Sequence, residues 1–229
     1  MTNLLAIETA TTACSVALCY QGHLYQRHQQ IPREHNKILL NMIQAVIDEA
    51  GIDFSDLDAI AVGNGPGSFV GARIAVSVAQ GIAFAADKPV IPVSTLQTIA
   101  QGAHRRDQSQ QIWVAIDAHA NQVYQQQFQY DSSCQLMLPC SAVSAVAPEN
   151  LESPVPNSDF CAVGDGWTVY AEKIARPANI KVLAEWLPNA IDLVPIAVNA
   201  FAQGDAISAE QAQPIYVRGT SPWQKQRPT

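Results

Sequence analysis

The sequence predicts an α/β fold of two lobes, each a mixed β-sheet flanked by helices. Two observations carry this expectation. Strands alternate with helical segments after an opening meander. The opening also occurs twice: an apolar run ending in Glu8 is answered 109 residues later by one ending in Asp117. A chain of 229 residues, 48% hydrophobic and 14% charged, is long enough to bury a core under both lobes. We place the lobes at 1–106 and 107–229, with the tail returning to the first lobe.

LLAIETATTACSVALCYQGHLYQRHQQI reads as three short strands: a buried run to Glu8, a second strand over Cys14–Tyr20, a turn at Gln21–His23, and a third that alternates outward from Leu24. EHNKILLNMIQAVIDEAG follows as a helix that begins near His35 and stops at Gly51, because a left-handed C-cap strains glycine least. Leu57–Gly63 is a buried strand, GNGPGSFVGAR (Gly63–Arg73) a glycine-rich loop, and IAVSVAQGIAFAA the helix it opens. PVIPVS and TLQTIAQGA add a strand and a helix. From Ile112, IWVAIDAHANQVYQQQFQYDSS repeats the opening, weakly in letters but closely in pattern. NLESPVPNSD is an exposed Pro-rich loop, FCAVGDGW a strand running into a glycine turn, and DLVPIAVNAFAQG a helix.

Thirteen basic against twenty acidic residues leave a net charge of −7. That balance argues against a chain that grips nucleic acid alone, since neutralising phosphates takes clustered Lys and Arg. The only basic clusters are Arg105-Arg106 and the tail around Lys225 and Arg227. Five cysteines without framework spacing predict reduced thiols. The N-terminus lacks the basic and apolar regions of a secretory signal, and no uninterrupted apolar run reaches the ~20 residues of a membrane span. Together these predict a cytoplasmic protein with no membrane partner.

No catalytic constellation emerges. The glycine loop lacks the Gly-Lys-Ser/Thr of a phosphate-binding loop, Ser68 is not in a G-x-S-x-G turn, and Cys14 stands mid-strand with no base in view. His23, His28, His35, His104 and His119 include no pair four apart that would share one helix face. We therefore expect no catalytic residue, no metal and no cofactor.

The helices are more informative. Gly71, Ala75, Ala79 and Ala83 make one small-residue face, with Val70, Ile74, Val78 and Ile82 in an apolar row beside it, and Ile74–Ala86 carries no charge. On the earlier helix Ile38, Leu39, Leu40, Met42, Ile43, Val46 and Ile47 exceed one stripe. Helices apolar around so much of their circumference are covered on two sides. The two could simply pack on each other and on the sheet. The sparse charge favours a helix bundle with another chain, formed by Leu39, Met42, Ile43, Val46, Val70, Gly71, Ile74, Ala75, Val78, Ala79, Ile82 and Ala83.

A duplicated lobe of this kind resembles the actin, hexokinase and Hsp70-like (ASKHA) fold. AIETATTACSVAL, PREH, GNGPGSFVGAR, VSTL, DAHANQVY and PIYVR, in this order over nearly the whole chain, resemble the TsaB (YeaZ) family. The resemblance implies a non-catalytic subunit in the making of threonylcarbamoyladenosine beside the anticodon of tRNA. Such a subunit binds a TsaD-type transferase through its first-lobe helices and helps recruit a TsaE-type ATPase. It forms a homodimer when alone and meets tRNA only indirectly. In the superfamily's ATPases an acid and a Ser/Thr/Gly turn after the first strand face nucleotide phosphates. Glu8 and Thr9 occupy that place, either as a vestigial cofactor site or as groups that satisfy backbone donors. Glu8 stands where the family more often has Asp, and His119 where a basic residue is usual nearby. The matching turn, Asp117-Ala118-His119-Ala120, has no glycine to admit a phosphate, and GDGW at Gly164–Trp167 reads either as a remnant of an adenosine-side turn or, better, as a plain strand-to-loop turn. The alternatives are a nucleotide-dependent transferase or metallopeptidase of the same fold, and an adaptor unrelated to tRNA.

Overall fold

The computed structural model describes residues 2–31, 34–151, 160–175, 180–183 and 186–217. Pro32 and Arg33 of PREH, residues 152–159 of the Pro-rich loop, Arg218 of PIYVR and the tail with Lys225 and Arg227 lie outside the described residues.

Strands β1 (Leu4–Glu8), β2 (Ala13–Tyr20) and β3 (His23–Gln30) form the expected meander. Helix α1 (His35–Ala50), β4 (Ala59–Gly63), α2 (Phe69–Ala86), β5 (Val90–Val93) and α3 (Thr95–Asp107) complete the first repeat. The second contains β6 (Gln111–His119), β7 (Gln122–Asp131), β8 (Leu136–Pro139), β9 (Ser144–Val146), β10 (Cys161–Val163), the single turn α4 (Gly166–Val169), β11 (Lys181–Leu183) and α5 (Ala190–Gln203). The sheets run β3-β2-β1-β4-β5 and β8-β7-β6-β10-β11, with β9 added on β7. They share one topology: an antiparallel meander whose first strand pairs in parallel with the fourth, β1 with β4 (Ile7↔Val62) and β6 with β10 (Val114↔Val163). The duplication glimpsed in AIE and AID is a duplication of sheet order, and the fold class is the one expected.

Both faces of the first sheet are covered, so β1 and β4 are buried throughout, as their unbroken apolar runs require. Alternate residues serve different cores. Leu5, Ile7, Val16, Ile60 and Val62 pack beneath α1 and α2. Leu4, Ala6, Ala17, Ala59 and Ala61 meet Leu193, Ile196 and Ala197 of α5. The alanines on that face let α5 lie close.

Helix α5 follows the second sheet in the chain yet covers the first. Helix α3 does the reverse: Leu96, Ile99, Ala100 and Ala103 pack with Ile112, Val114 and Ile116 of β6 and with Phe128 and Met137. Each repeat thus hands its last helix to the other. The crossing is locked where Arg105 of α3 donates from Nε to Asp192 Oδ1 at 2.6 Å and from a terminal nitrogen to Oδ2 at 3.2 Å. Asp192 is buried, and its carboxylate lies over Gly102, where a Cβ would come within 2.6 Å of Oδ2. At the start of α5 the Ala190 amide donates to Ser15 Oγ at 2.9 Å, and the hydroxyl donates to the Asn189 cap at 3.1 Å.

Helix α2 is long and apolar enough to cross a membrane by length and composition alone. It is instead a surface helix here, with Gly71, Ala75, Ala79 and Ala83 buried in the first core.

Removing the guanidinium leaves the Asp192 carboxylate buried without its partner. Arg105→Met is expected to destabilise the fold by roughly 2 kcal/mol, and adding Asp192→Asn should recover part of that loss. Urea denaturation of the two single variants and the pair, read as a double-mutant cycle, measures the coupling.

Candidate functional site: the groove between the first two helices

Three of the four glycines in the loop that opens α2 meet the end of β1 and the two residues after it. A Cβ on Gly63 would fall 2.0 Å from Glu8 Oε2, one on Gly67 2.2 Å from the Ala10 carbonyl, and one on Gly71 2.1 Å from the Thr9 carbonyl. Contacts under 3 Å are forbidden, so the glycines exist to let two backbones and one carboxylate touch. The Ser68 amide donates to the Ala10 carbonyl at 2.6 Å, Thr9 Oγ1 donates to the Gly71 carbonyl at 2.7 Å, and Ser68 Oγ caps the helix by accepting from the Gly71 amide at 3.2 Å. The loop is a packing joint.

Glu8 closes the joint from below. It is fully buried; Oε1 accepts from the Ala10 amide at 2.7 Å, Oε2 accepts from Thr95 Oγ1 at 2.9 Å, and Thr95 Oγ1 in turn accepts from the Gly65 amide at 3.2 Å. Burial pushes its carboxyl up to about 7, against the lowering pull of these hydrogen bonds. Thr9 is equally buried. With both carboxylate oxygens engaged and neither side chain reaching solvent, the pair satisfies the turn. Of the two readings of Glu8 and Thr9, this geometry is that of groups satisfying the turn's own donors and acceptors.

The second lobe's turn is built differently. Gly164, at φ 108°, and Gly166 lie against the Ala115 carbonyl, where Cβ atoms would come within 2.3 and 2.9 Å. The turn GDGW is therefore another close approach. Asp117 accepts from Tyr170 Oη and from the His119 amide, both at 2.8 Å, while its own amide donates to Asp165 Oδ1 at 2.9 Å. Burial first, and then the Asp117 charge, raise the Asp165 carboxyl. Burial and the Asp117 contact push the Tyr170 hydroxyl up to about 12. His119, Ala120 and Asn121 all take positive φ, so the turn needs no glycine but strains three side-chain-bearing residues. Among the described residues no three His, Cys, Asp or Glu side chains gather as a metal site.

The expected interface residues divide sharply. Leu39, Met42, Ile43 and Val46 of α1 and Gly71, Ala75, Ala79 and Ala83 of α2 are buried within the chain. The small-residue face therefore does not face a partner; the joint at Gly67 and Gly71 draws it onto β1 and β4. Outside it lie Val70, 63% exposed, and the half-buried Ile74, Val78 and Ile82. Opposite, Leu40 of α1 is 59% exposed. Between the helices runs an open groove of about 370 Å³ lined by Asn36, Leu39, Leu40, Val70, Arg73, Ile74, Ser77 and Val78. Sequence reasoning left Leu40 out of the interface, along with Phe84, which is 75% exposed at the far end of α2. Their signal was available: once Gly71 and Ala75 point inward, the 3.6-residue period turns Phe84 outward.

Glu8 sets a pH dependence whose sign follows from its raised pKa. Protons bind the folded chain more tightly than the unfolded one, so the favourable contribution is complete below about 4.5 and is lost as pH rises through about 7. The fold is expected to weaken by about 3 kcal/mol across that window on this account. Guanidinium denaturation between pH 5 and 8 should show this slope in the natural chain and a shallower one in Glu8→Gln.

A family model described as TsaD, tRNA N6-adenosine threonylcarbamoyltransferase, matches residues 28–208. The chain is similar to the tRNA threonylcarbamoyladenosine biosynthesis protein TsaB of Escherichia coli K12, at 37% identity over 227 residues and 97% of both chains. It is similar also to TsaB of Haemophilus influenzae, at 36% identity with 97% of this chain and 96% of the relative covered. The fold is similar to that of YeaZ from Pseudomonas aeruginosa, with a TM-score of 0.90 and 40% identity over 95% of this chain and all of the other. With its duplicated sheets, its glycine joint and relatives of this similarity over almost its entire length, the chain belongs to the TsaB (YeaZ) family.

Proposed function

We propose that the chain acts in tRNA threonylcarbamoyladenosine biosynthesis as a non-catalytic subunit of the cytoplasm. On this reading it docks the outer face of α1 and α2 on a TsaD-type transferase, activates it and helps recruit a TsaE-type ATPase. It pairs with a second copy through the same helices when alone, and meets tRNA only through the transferase. The lobes 1–106 and 107–229 belong to this reading, with the exchanged helices α3 and α5 as the joint between them.

The observation that carries the proposal is the open apolar groove between two helices whose inner faces are already full. Covering Leu40, Val70 and Phe84 on association is worth about 1.5–3 kcal/mol for each side chain fully buried. Gly81 supports the same face. A Cβ there would meet nothing within 4 Å, so no contact inside the chain accounts for a glycine that weakens a helix interior by roughly 0.5–1 kcal/mol. A second helix crossing at that point does account for it. Non-catalytic action is supported by the sealing of Glu8 and Thr9, whose polar atoms are engaged within the chain.

The test is a reconstituted modification reaction with TsaC-, TsaD- and TsaE-type proteins, threonine, bicarbonate, ATP and unmodified tRNA. Leu40→Glu with Val70→Glu places charge in the groove at two exposed positions, unlike substitutions at the buried Ala75 or Ala79. The double variant is expected to keep its circular dichroism and melting temperature while modification falls at least tenfold. Glu8→Gln is expected to support modification at the natural rate. Modification that proceeds equally well without the chain would remove the pathway reading, and loss of activity in a folded Glu8→Gln would revive an enzymatic one.

A further inference from the structure

Among the described residues that line this groove, Arg73 alone is charged. Its guanidinium carbon lies 3.3 Å from the centre of the Phe69 ring and 5.4 Å from that of Tyr216. Both rings are more than half exposed, so the head group is held at the surface. Its Nε donates to Tyr216 Oη at 2.9 Å, the one hydrogen bond it makes to the described residues. No carboxylate among them pairs with it, although the chain has twenty acids to thirteen bases.

This end of the groove is positive for a second reason. Strand β3 runs parallel to β1, because each pairs antiparallel with β2, and β4 pairs parallel with β1. Helices α1 and α2 therefore return in the same direction, and the first half of each lines the groove: Asn36 and Leu39 on one, Val70 and Arg73 on the other. Neither helix has an acid in its first turn to offset the partial positive charge of its N-terminus. Glu34, just before α1, is paired with Lys37 at 2.8 Å.

We propose that the transferase segment that fills this groove is an apolar helix carrying an Asp or Glu, and that Arg73 binds that carboxylate. The inference rests on the reading of the groove as the transferase's site. Covering Leu40 and Val70 also takes water from the guanidinium beside them, and a charge covered without a partner is costly. A carboxylate meets that cost best, since its two oxygens accept parallel N–H bonds from one guanidinium. Stacking on Phe69 and the bond to Tyr216 fix the head group before the partner arrives, which reduces the ordering that binding requires. The rest of the lining, Leu39, Leu40, Val70, Ile74 and Val78, calls for apolar side chains around the acid. That combination favours a protein helix over the phosphates of a nucleic acid.

The experiment measures the affinity of the natural chain and its variants for the TsaD-type transferase. Arg73→Gln is expected to keep the melting temperature while binding weakens about thirtyfold. Arg73→Lys should recover part of that loss, because an ammonium keeps the charge without the paired geometry. Treating the Arg73→Lys complex with a water-soluble carbodiimide should join the new amine to one Asp or Glu of the transferase as an amide. Peptide mass spectrometry locates that link, which the natural chain cannot form at this position. Replacing the acid so found by Arg should restore at least tenfold of the affinity that Arg73→Glu loses.

Binding of Arg73→Gln within twofold of the natural chain overturns the proposal. If Leu40→Glu with Val70→Glu then abolishes binding, the groove remains the transferase's site without the acid; if that variant binds normally too, the reading of the groove falls as well. A carbodiimide link only to a second copy of this chain, or a loss in Arg73→Gln seen only when tRNA is present, also overturns the proposal. The first assigns the charge to self-association and the second to a phosphate.

Discussion

The contact between the end of β1 and the start of α2 governs the rest of this molecule. Three carbonyl or carboxylate oxygens occupy the places where the Cβ atoms of Gly63, Gly67 and Gly71 would stand. Helix α2 therefore lies as near the sheet as a backbone allows, with its small residues inward. That orientation leaves Val70, Ile74 and Val78 on the outside beside Leu40 of α1. The groove between the helices is thus a consequence of the glycine joint. A loop that looks like a phosphate cradle in sequence serves here to set the roll and height of a helix.

The exchange of α3 and α5 is the second constraint, and it explains how two similar lobes remain one body. Each sheet takes its inner cover from the other repeat, so neither half can complete its core alone. Asp192, buried over Gly102 and held by Arg105, fixes the crossing with a paired charge where apolar packing would tolerate sliding. Ser15, buried on β2, fixes the start of α5 in the same way through Asn189 and Ala190.

Much of this was legible in the sequence, for identifiable reasons. Gly51 ends α1 at φ 66° because a C-cap there has a local cause, and the strand–loop–helix run from Leu57 to Ala86 punctuates itself. The repeat of AIE and AID was legible because strand-end acids recur with the sheet order. The inward face of α2 was not. A helix apolar on both sides has no moment to orient it, and only the oxygens of Thr9 and Ala10, distant in sequence, decide which side turns down. Nor was the burial of Glu8 legible, because an acid at a strand end looks the same whether it faces a cleft or a glycine. The destination of α3 depends on packing between repeats, which periodicity does not record.

The two acid turns show how one duplicated plan can serve two ends. Both use glycine to bring the fourth strand's turn against the first strand, at Gly63 and Gly67 in one lobe and at Gly164 and Gly166 in the other. In the first, Thr95 and the Ala10 amide enclose the acid, and the helix that follows runs for 18 residues. In the second, Asp117 keeps one-fifth of its side-chain surface exposed, and the helix after the glycines is a single turn. A sealed acid removes a reactive group from the surface and adds a rigid foundation beneath α2. A long, firmly seated helix is what a docking face requires, since a surface that must first be ordered gives up part of its binding energy to that ordering. The lobe whose acid is sealed is also the lobe whose helices leave an open groove between them, and the same three glycines seat the helix beside both.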